Sequence, residues 1–154
     1  MTGRSLGLIA ALGSLGMMIA ALGFQYIGEL PPCKMCYWQR YPHIAAIGIG
    51  VLFLLFAYRG FLLLGALSAL TTGVTGVYHV GVEVKWWQGP DTCTSSSTDG
   101  LSVDQLLDQI MTAPLVRCDE IAWSLMGISM AGWNAIMSFA LAFLWVTAFS
   151  RFKA

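Results

Sequence analysis

The sequence predicts an all-α membrane protein, a four-transmembrane-helix bundle with a short amphipathic helix in its second outer loop. Three observations carry this. Of 154 residues, 57% are hydrophobic and 10% charged, and the mean hydropathy is +0.71, too apolar for an ordinary water-facing surface at this size. Four stretches approach the ~20 apolar residues that a helix needs to cross a bilayer core of about 30 Å. All four cysteines fall between those stretches rather than inside them. Helices are the expected form, because backbone in lipid must satisfy its own hydrogen bonds.

The first stretch, residues 6–27, is uncharged and rich in Gly, Ala, Leu and Met. Arg4 precedes it and Ala20 and Ala21 lie near its end, but its apolar run is too long for a signal-peptide core, so it is read as a retained span. The second, about 42–58, is near the short limit for a span. The third covers 61–82 and the fourth 123–149. With no internal repeat, residues 1–154 read as a single transmembrane domain.

Arg4, Arg59, Arg151 and Lys153 stand at the ends that the positive-inside rule assigns to the cytoplasm, which places both termini there. The loops 28–41 and 83–120 then face outward. The longer carries Glu83, Asp91, Asp99, Asp104, Asp108, Asp119 and Glu120 against only Lys85 and Arg117. Lys34 and Arg40 in the shorter loop run against the rule and need another reason.

Within the longer loop, the Ser- and Thr-rich patch 92–98 reads as flexible chain. Ser102 then stands three residues before Gln105, a capping-box pattern, and Val103, Leu106, Leu107, Ile110 and Met111 follow at helical spacing. Asp104 and Asp108 fall elsewhere on the wheel. This predicts an amphipathic helix ending before Pro114, lying on the membrane surface or packed on the outer end of the bundle.

The net charge is zero with no Lys/Arg run, so the basic footprint of a nucleic-acid-binding protein is missing. The cysteines are more informative. Cys33 and Cys36 form a Cys-x-x-Cys pair, and Cys93 and Cys118 bracket the amphipathic helix. An even number on the oxidising side of a membrane favours disulfides. A Cys93–Cys118 bridge would close about 26 residues, worth roughly 3.5 kcal/mol, whereas a Cys33–Cys36 bridge gives only about 2. The second is a poor staple, and redox exchange explains it better. Covalent haem attachment needs His after the second cysteine, and Tyr37 is there instead. A zinc site of four thiolates needs two close-spaced pairs, which Cys93 and Cys118 do not supply, so no metal is expected.

Pro32-Cys33-Lys34-Met35-Cys36-Tyr37-Trp38-Gln39-Arg40 resembles the signature of the DsbB family, membrane oxidases that regenerate the periplasmic disulfide donor DsbA. The resemblance extends over the chain, through Tyr78-His79-Val80-Gly81-Val82-Glu83 and Trp86-Trp87 to Cys93, and through Cys118-Asp119-Glu120 before the fourth stretch. It implies a bacterial inner-membrane protein with periplasmic cysteine loops, a DsbA-like thioredoxin-fold partner, and a membrane quinone, ubiquinone or menaquinone, as electron acceptor. It further implies that Cys93 forms the mixed disulfide with the partner, that Cys118 completes that pair and exchanges with Cys33, and that Cys36 becomes the thiolate beside the quinone.

Arg40 follows Cys36 by four residues. If helix already runs there, Arg40 lies one turn away and can support the thiolate and the quinone; if Pro42 marks the first turn, Cys36 stays in loop. The alternative for Arg40 is snorkelling to the headgroups. His79 lies at the depth where the family binds quinone, so it is expected either to bond a quinone carbonyl or to make an interhelical bond. Glu83 is expected at the interface, and Trp38, Trp86, Trp87 and Trp123 in the aromatic belts. Lys34 and Met35 depart from the apolar interior usual in the family's Cys-x-x-Cys. Two other readings compete. A quinone-linked thiol protein resembling vitamin K epoxide reductases would carry its Cys-x-x-Cys late in the chain, and a non-enzymatic tetraspan protein would keep its disulfides inert.

Overall fold

The computed structural model of the protein describes residues 2–91, 93, 102–112 and 116–152. Outside them lie the Ser- and Thr-rich patch apart from Cys93, as well as Asp99, Pro114 and Lys153, and the side chains of Leu106 and Ile110 are likewise not described. The described elements are α1 (Gly3–Tyr26), α2 (Lys34–Phe56), α3 (Gly60–Glu83), α4 (Val103–Thr112), a hairpin of β1 (Ser124–Leu125) and β2 (Ile128–Ser129), and α5 (Met130–Arg151). Helices α1, α2, α3 and α5 are each long and apolar enough to cross a membrane.

α3 packs on α5 and α2, and α1 closes the bundle against the same two helices. Small residues set these contacts, as is usual where helices meet in lipid. Gly65 admits the Trp145 indole, whose nearest atoms would lie 2.6 Å from any Cβ placed there. The core below the site is Leu6, Phe53, Leu62, Leu141 and Trp145, all buried. The opposite faces leave Leu12, Ile19, Leu55, Leu67 and Phe143 at least 59% exposed, which in water would be untenable and in lipid is expected.

Two boundaries differ from the hydropathy reading. α2 begins at Lys34, eight residues before Pro42, because Cys33 is its N-cap: the Sγ accepts from the Cys36 backbone N–H at 3.2 Å. Pro42 therefore sits inside the helix, where it removes one rung of the hydrogen-bond ladder without ending it. Hydropathy missed these roughly two turns because Lys34, Gln39 and Arg40 dilute it. At the other end, α5 begins at Met130. The preceding residues form the hairpin, paired Ser124 to Ser129 and Leu125 to Ile128, with Met126 and Gly127 both at positive φ (53° and 77°) in the turn. Ser129 then caps α5, its hydroxyl accepting from Gly132 N–H at 3.2 Å.

The capping box of α4 forms as its sequence predicts, with Ser102 N–H donating to Gln105 Oε1 at 2.9 Å and Gln105 N–H to Ser102 Oγ at 3.3 Å. Val103, Leu107 and Met111, one stripe along the helix, are all exposed. Their exposure gives the helix an apolar stripe of the kind that a membrane surface accepts.

Candidate functional site: two cysteine pairs above a polar-ended cavity

Cys33 and Cys36 occupy the cap and first turn of α2, which brings their sulfurs to 2.8 Å. Cys33 is buried, and the Cys36 sulfur beside it together with burial pushes the Cys33 thiol up from its ordinary value. Cys93 and Cys118 form a disulfide with Cα atoms 5.3 Å apart, and both are buried. This bridge sits directly on the Cys-x-x-Cys: Cys33 Sγ, Cys118 Sγ and a ring nitrogen of His79 all lie within 4.8 Å of one another. Met35, Val82 and Val116 pack around the sulfurs.

The loop segments are held in place by local chemistry. α3 ends with Lys85 at φ 61°, and Trp86 N–H returns to Gly81 C=O at 2.8 Å, a helix-ending turn. Trp87 stacks on Tyr78 and donates from Nε1 to the Tyr78 carbonyl at 2.9 Å. Gly81 leaves room for that indole, which a Cβ there would strike. Around Cys118, Arg117 bonds Asp119 at 2.8 Å and reaches Glu120 at 3.2 Å, and Lys85 reaches Asp119 at 3.5 Å. The Arg117 hydrogen bond holds the Asp119 carboxyl below its ordinary value, and the same bond raises the Arg117 guanidinium.

Beneath the sulfurs lies a cavity of about 300 Å³ whose walls include Met17, Met18, Phe24 and Met137, and whose polar groups include Cys36, Arg40, His79 and Glu83. Because α2 already runs through Cys36, Arg40 sits one turn further along the same helix. Its guanidinium is turned inward to α1, donating to Gln25 Oε1 and to the Ala21 carbonyl (3.2 Å), with the Tyr37 ring 5.3 Å away. That is an anchored position rather than a snorkelling one. His79 is 3.7 Å from Cys33 Sγ through Nε2 and 2.8 Å from Gln39 Nε2 through Nδ1. Glu83, the last residue of α3, has a side chain buried against protein: it accepts from the Ser129 hydroxyl that caps α5 and comes within 4.0 Å of His79 Nε2. The cap hydroxyl draws it inward.

Hydropathy gave no sign of the residues linking this site to the bundle. Asn134 donates to Gln39 Oε1 at 2.8 Å and to Thr72 Oγ1 at 3.2 Å, and His43 Nε2 lies 3.0 Å from Asn134 Oδ1. Thr72 Oγ1 in turn donates to the Gln39 carbonyl at 2.8 Å. Polar residues within apolar spans were the available signal, since buried polar groups in a bilayer need partners.

A four-helix membrane fold with a dithiol Cys-x-x-Cys seated against the Cys93–Cys118 disulfide defines a membrane thiol–disulfide redox protein. The family model for "Disulfide bond formation protein DsbB" matches residues 3–148. Proteins named disulfide bond formation protein B from Dechloromonas aromatica (31% identical, 82% of this chain and 79% of the relative) and Verminephrobacter eiseniae (30%, 96% and 86%) are similar to it. A third of that name, from Mannheimia succiniciproducens, is 28% identical over 99% of this chain and 89% of its own. The chain belongs to the DsbB family, the membrane proteins of disulfide bond formation.

Proposed function

We propose that the protein oxidises the dithiol of a DsbA-like thioredoxin-fold partner and passes the electrons through Cys93/Cys118 and Cys33/Cys36 to a membrane quinone. It does so in the bacterial inner membrane, with both termini cytoplasmic and the cysteine loops periplasmic. One observation carries this reading: Cys33 Sγ of the Cys-x-x-Cys lies within 4.8 Å of Cys118 Sγ of the loop disulfide, which is exchange distance after a small shift.

A partner thiolate attacks Cys93, forming a mixed disulfide and freeing Cys118 as thiolate. Cys118 attacks Cys33 of an oxidised Cys33–Cys36 pair, which releases Cys36 as thiolate one turn from Arg40. The partner's second thiol resolves the mixed disulfide and leaves oxidised partner and reduced Cys93. Cys93 then attacks Cys118, restoring the Cys93–Cys118 bridge and leaving Cys33 and Cys36 reduced, the arrangement the structure has. Two electrons now reside on Cys33 and Cys36.

The cavity suits a flat carbonyl-bearing ring with an apolar tail, because its apolar walls end at the Arg40 guanidinium, His79 and the Cys36 sulfur. A bound quinone supplies the acceptor of two electrons and two protons. Arg40 holds positive charge beside Cys36, and α1 fixes that charge in place. His79 faces the sulfurs and the cavity together.

The test is anaerobic mixing of the purified protein with reduced partner and a soluble quinone, following quinone absorbance and partner thiols together. Stoichiometric quinone reduction that vanishes in Cys33→Ser and Cys36→Ser is expected. Partner oxidation that continues unchanged in Cys36→Ser overturns the reading.

A further inference from the structure

Cys33, His79 and Cys118 present a difficulty. Two sulfurs and an imidazole nitrogen, all buried and mutually within 4.8 Å, are the donor set and spacing of a zinc-class metal site once the Cys93–Cys118 bridge is reduced. A metal held there would tie up the two sulfurs that must exchange with each other. Whether His79 can take part depends on which nitrogen bears its proton, because a metal requires the bare one.

The hydrogen-bond chain decides that. Asn134 Nδ2 faces the Thr72 backbone carbonyl at 3.4 Å, and a carbonyl only accepts, so the amide nitrogen of Asn134 belongs on that side. Thr72 Oγ1 has given its hydrogen to the Gln39 carbonyl and so accepts from Asn134 as well. Asn134 Nδ2 therefore donates to Gln39 Oε1. That leaves Gln39 Nε2 toward the Met35 carbonyl at 3.4 Å and toward His79 Nδ1 at 2.8 Å. A backbone carbonyl pins each amide, and the two assignments agree. His79 Nδ1 must accept, so the neutral ring carries its proton on Nε2. This is the nitrogen 3.7 Å from Cys33 Sγ and 4.0 Å from Glu83 Oε1.

We propose that Gln39, itself held by Asn134, is a positioning residue: it keeps His79 in the Nε2–H form, so that His79 donates to the Cys33 sulfur and is barred from ligating a metal with Cys33 and Cys118. The same bond serves exchange and protection. It supports charge on Cys33 as that sulfur is displaced, and it removes the third ligand from an otherwise thiophilic site. To recruit His79, a metal would have to turn the Gln39 amide over, setting its oxygen against the Met35 carbonyl and its NH₂ against that of Asn134.

The experiment needs neither partner protein nor quinone, so its failure is separate from failure of the proposed oxidase activity. Nitrogen-15 NMR of the detergent-solubilised protein at neutral pH reads the His79 ring directly. A bare Nδ1 and protonated Nε2 are expected; a protonated Nδ1 overturns the proposal. Cobalt(II), a spectroscopic stand-in for zinc, is then titrated into the fully reduced protein. In the parent chain any cobalt affinity is expected to be the same in His79→Ala, because only thiolates hold the ion. Gln39→Glu offers a carboxylate to accept Nδ1–H, the partner that metal-bound imidazoles use, and is expected to tighten cobalt by about tenfold or more. The gain should disappear in the Gln39→Glu/His79→Ala double variant. Parent binding that weakens in His79→Ala, or no gain in Gln39→Glu with the helical spectrum intact, refutes the assignment.

Discussion

Replacing Asn134 by Leu tests the polar chain at its centre. The side chains are close in volume, so the change removes hydrogen bonds without opening a large cavity. The three shortest of its bonds are the donations to Gln39 Oε1 at 2.8 Å and Thr72 Oγ1 at 3.2 Å, and the one received from His43 Nε2 at 3.0 Å, and all three are lost together with the longer contact to the Thr72 carbonyl at 3.4 Å. Hydrogen bonds between membrane helices average about 0.6 kcal/mol and reach about 1.7, so three come to about 2 kcal/mol. The partners left behind increase the loss, because Gln39 and His43 are almost fully buried and cannot turn to water. Reversible unfolding in mixed micelles with increasing denaturing detergent should show Asn134→Leu at least about 2 kcal/mol less stable than the parent chain. Asn134→Asp keeps the acceptor for His43 but not the donor to Gln39, and a carboxylate in this setting should destabilise further. A stability loss below about 0.5 kcal/mol for Asn134→Leu, under the average for even one such bond, would refute the view that this chain ties α2, α3 and α5 together.

Two further outcomes follow from the site. Arg40→Ala removes the charge anchored to Gln25 and Ala21 while leaving the loop disulfide untouched, so quinone reduction should fall by about tenfold or more while mixed-disulfide formation with the partner stays within about twofold. Stopped-flow absorbance and trapped-intermediate gels distinguish the two, and equal losses contradict the assigned role. The Asp119 carboxyl is held below its ordinary value of 3.8, so its contribution to the loop is fully present above that pH and is lost as pH falls through the lower folded-state value. Reduction of Cys93–Cys118 by a phosphine reductant should therefore quicken below about pH 4, and less so in Asp119→Asn. Parallel profiles for the two proteins would show that the Arg117–Asp119 pair does not guard the bridge.

Composition and periodicity alone determined that this chain lives in lipid, that it has four long apolar segments, and that Cys33, Cys93 and Cys118 lie outside them; Cys36, read as lying between spans, falls instead in the first turn of α2. They also determined the α4 capping box, because local hydrogen bonds between residues three apart need no distant partner. The Cys-x-x-Cys marked the redox chemistry for a similar reason: its geometry is set within one helical turn.

Tertiary structure decided what depends on partners distant in sequence. The start of α2 at Lys34 was hidden because its first turns are too polar for a hydropathy window, yet it is that start which sets Cys36 and Arg40 on one helix. Only the fold put Cys118 beside Cys33, buried Glu83 against the α5 cap, and joined His79 to Gln39 and Asn134 across three helices. A polar residue within an apolar span announces that it needs a partner, but not which one. Helix rotation and depth choose the partner, and these are fixed by packing between helices whose contact surfaces are mostly glycine, alanine and leucine, too alike for the sequence to register them against one another.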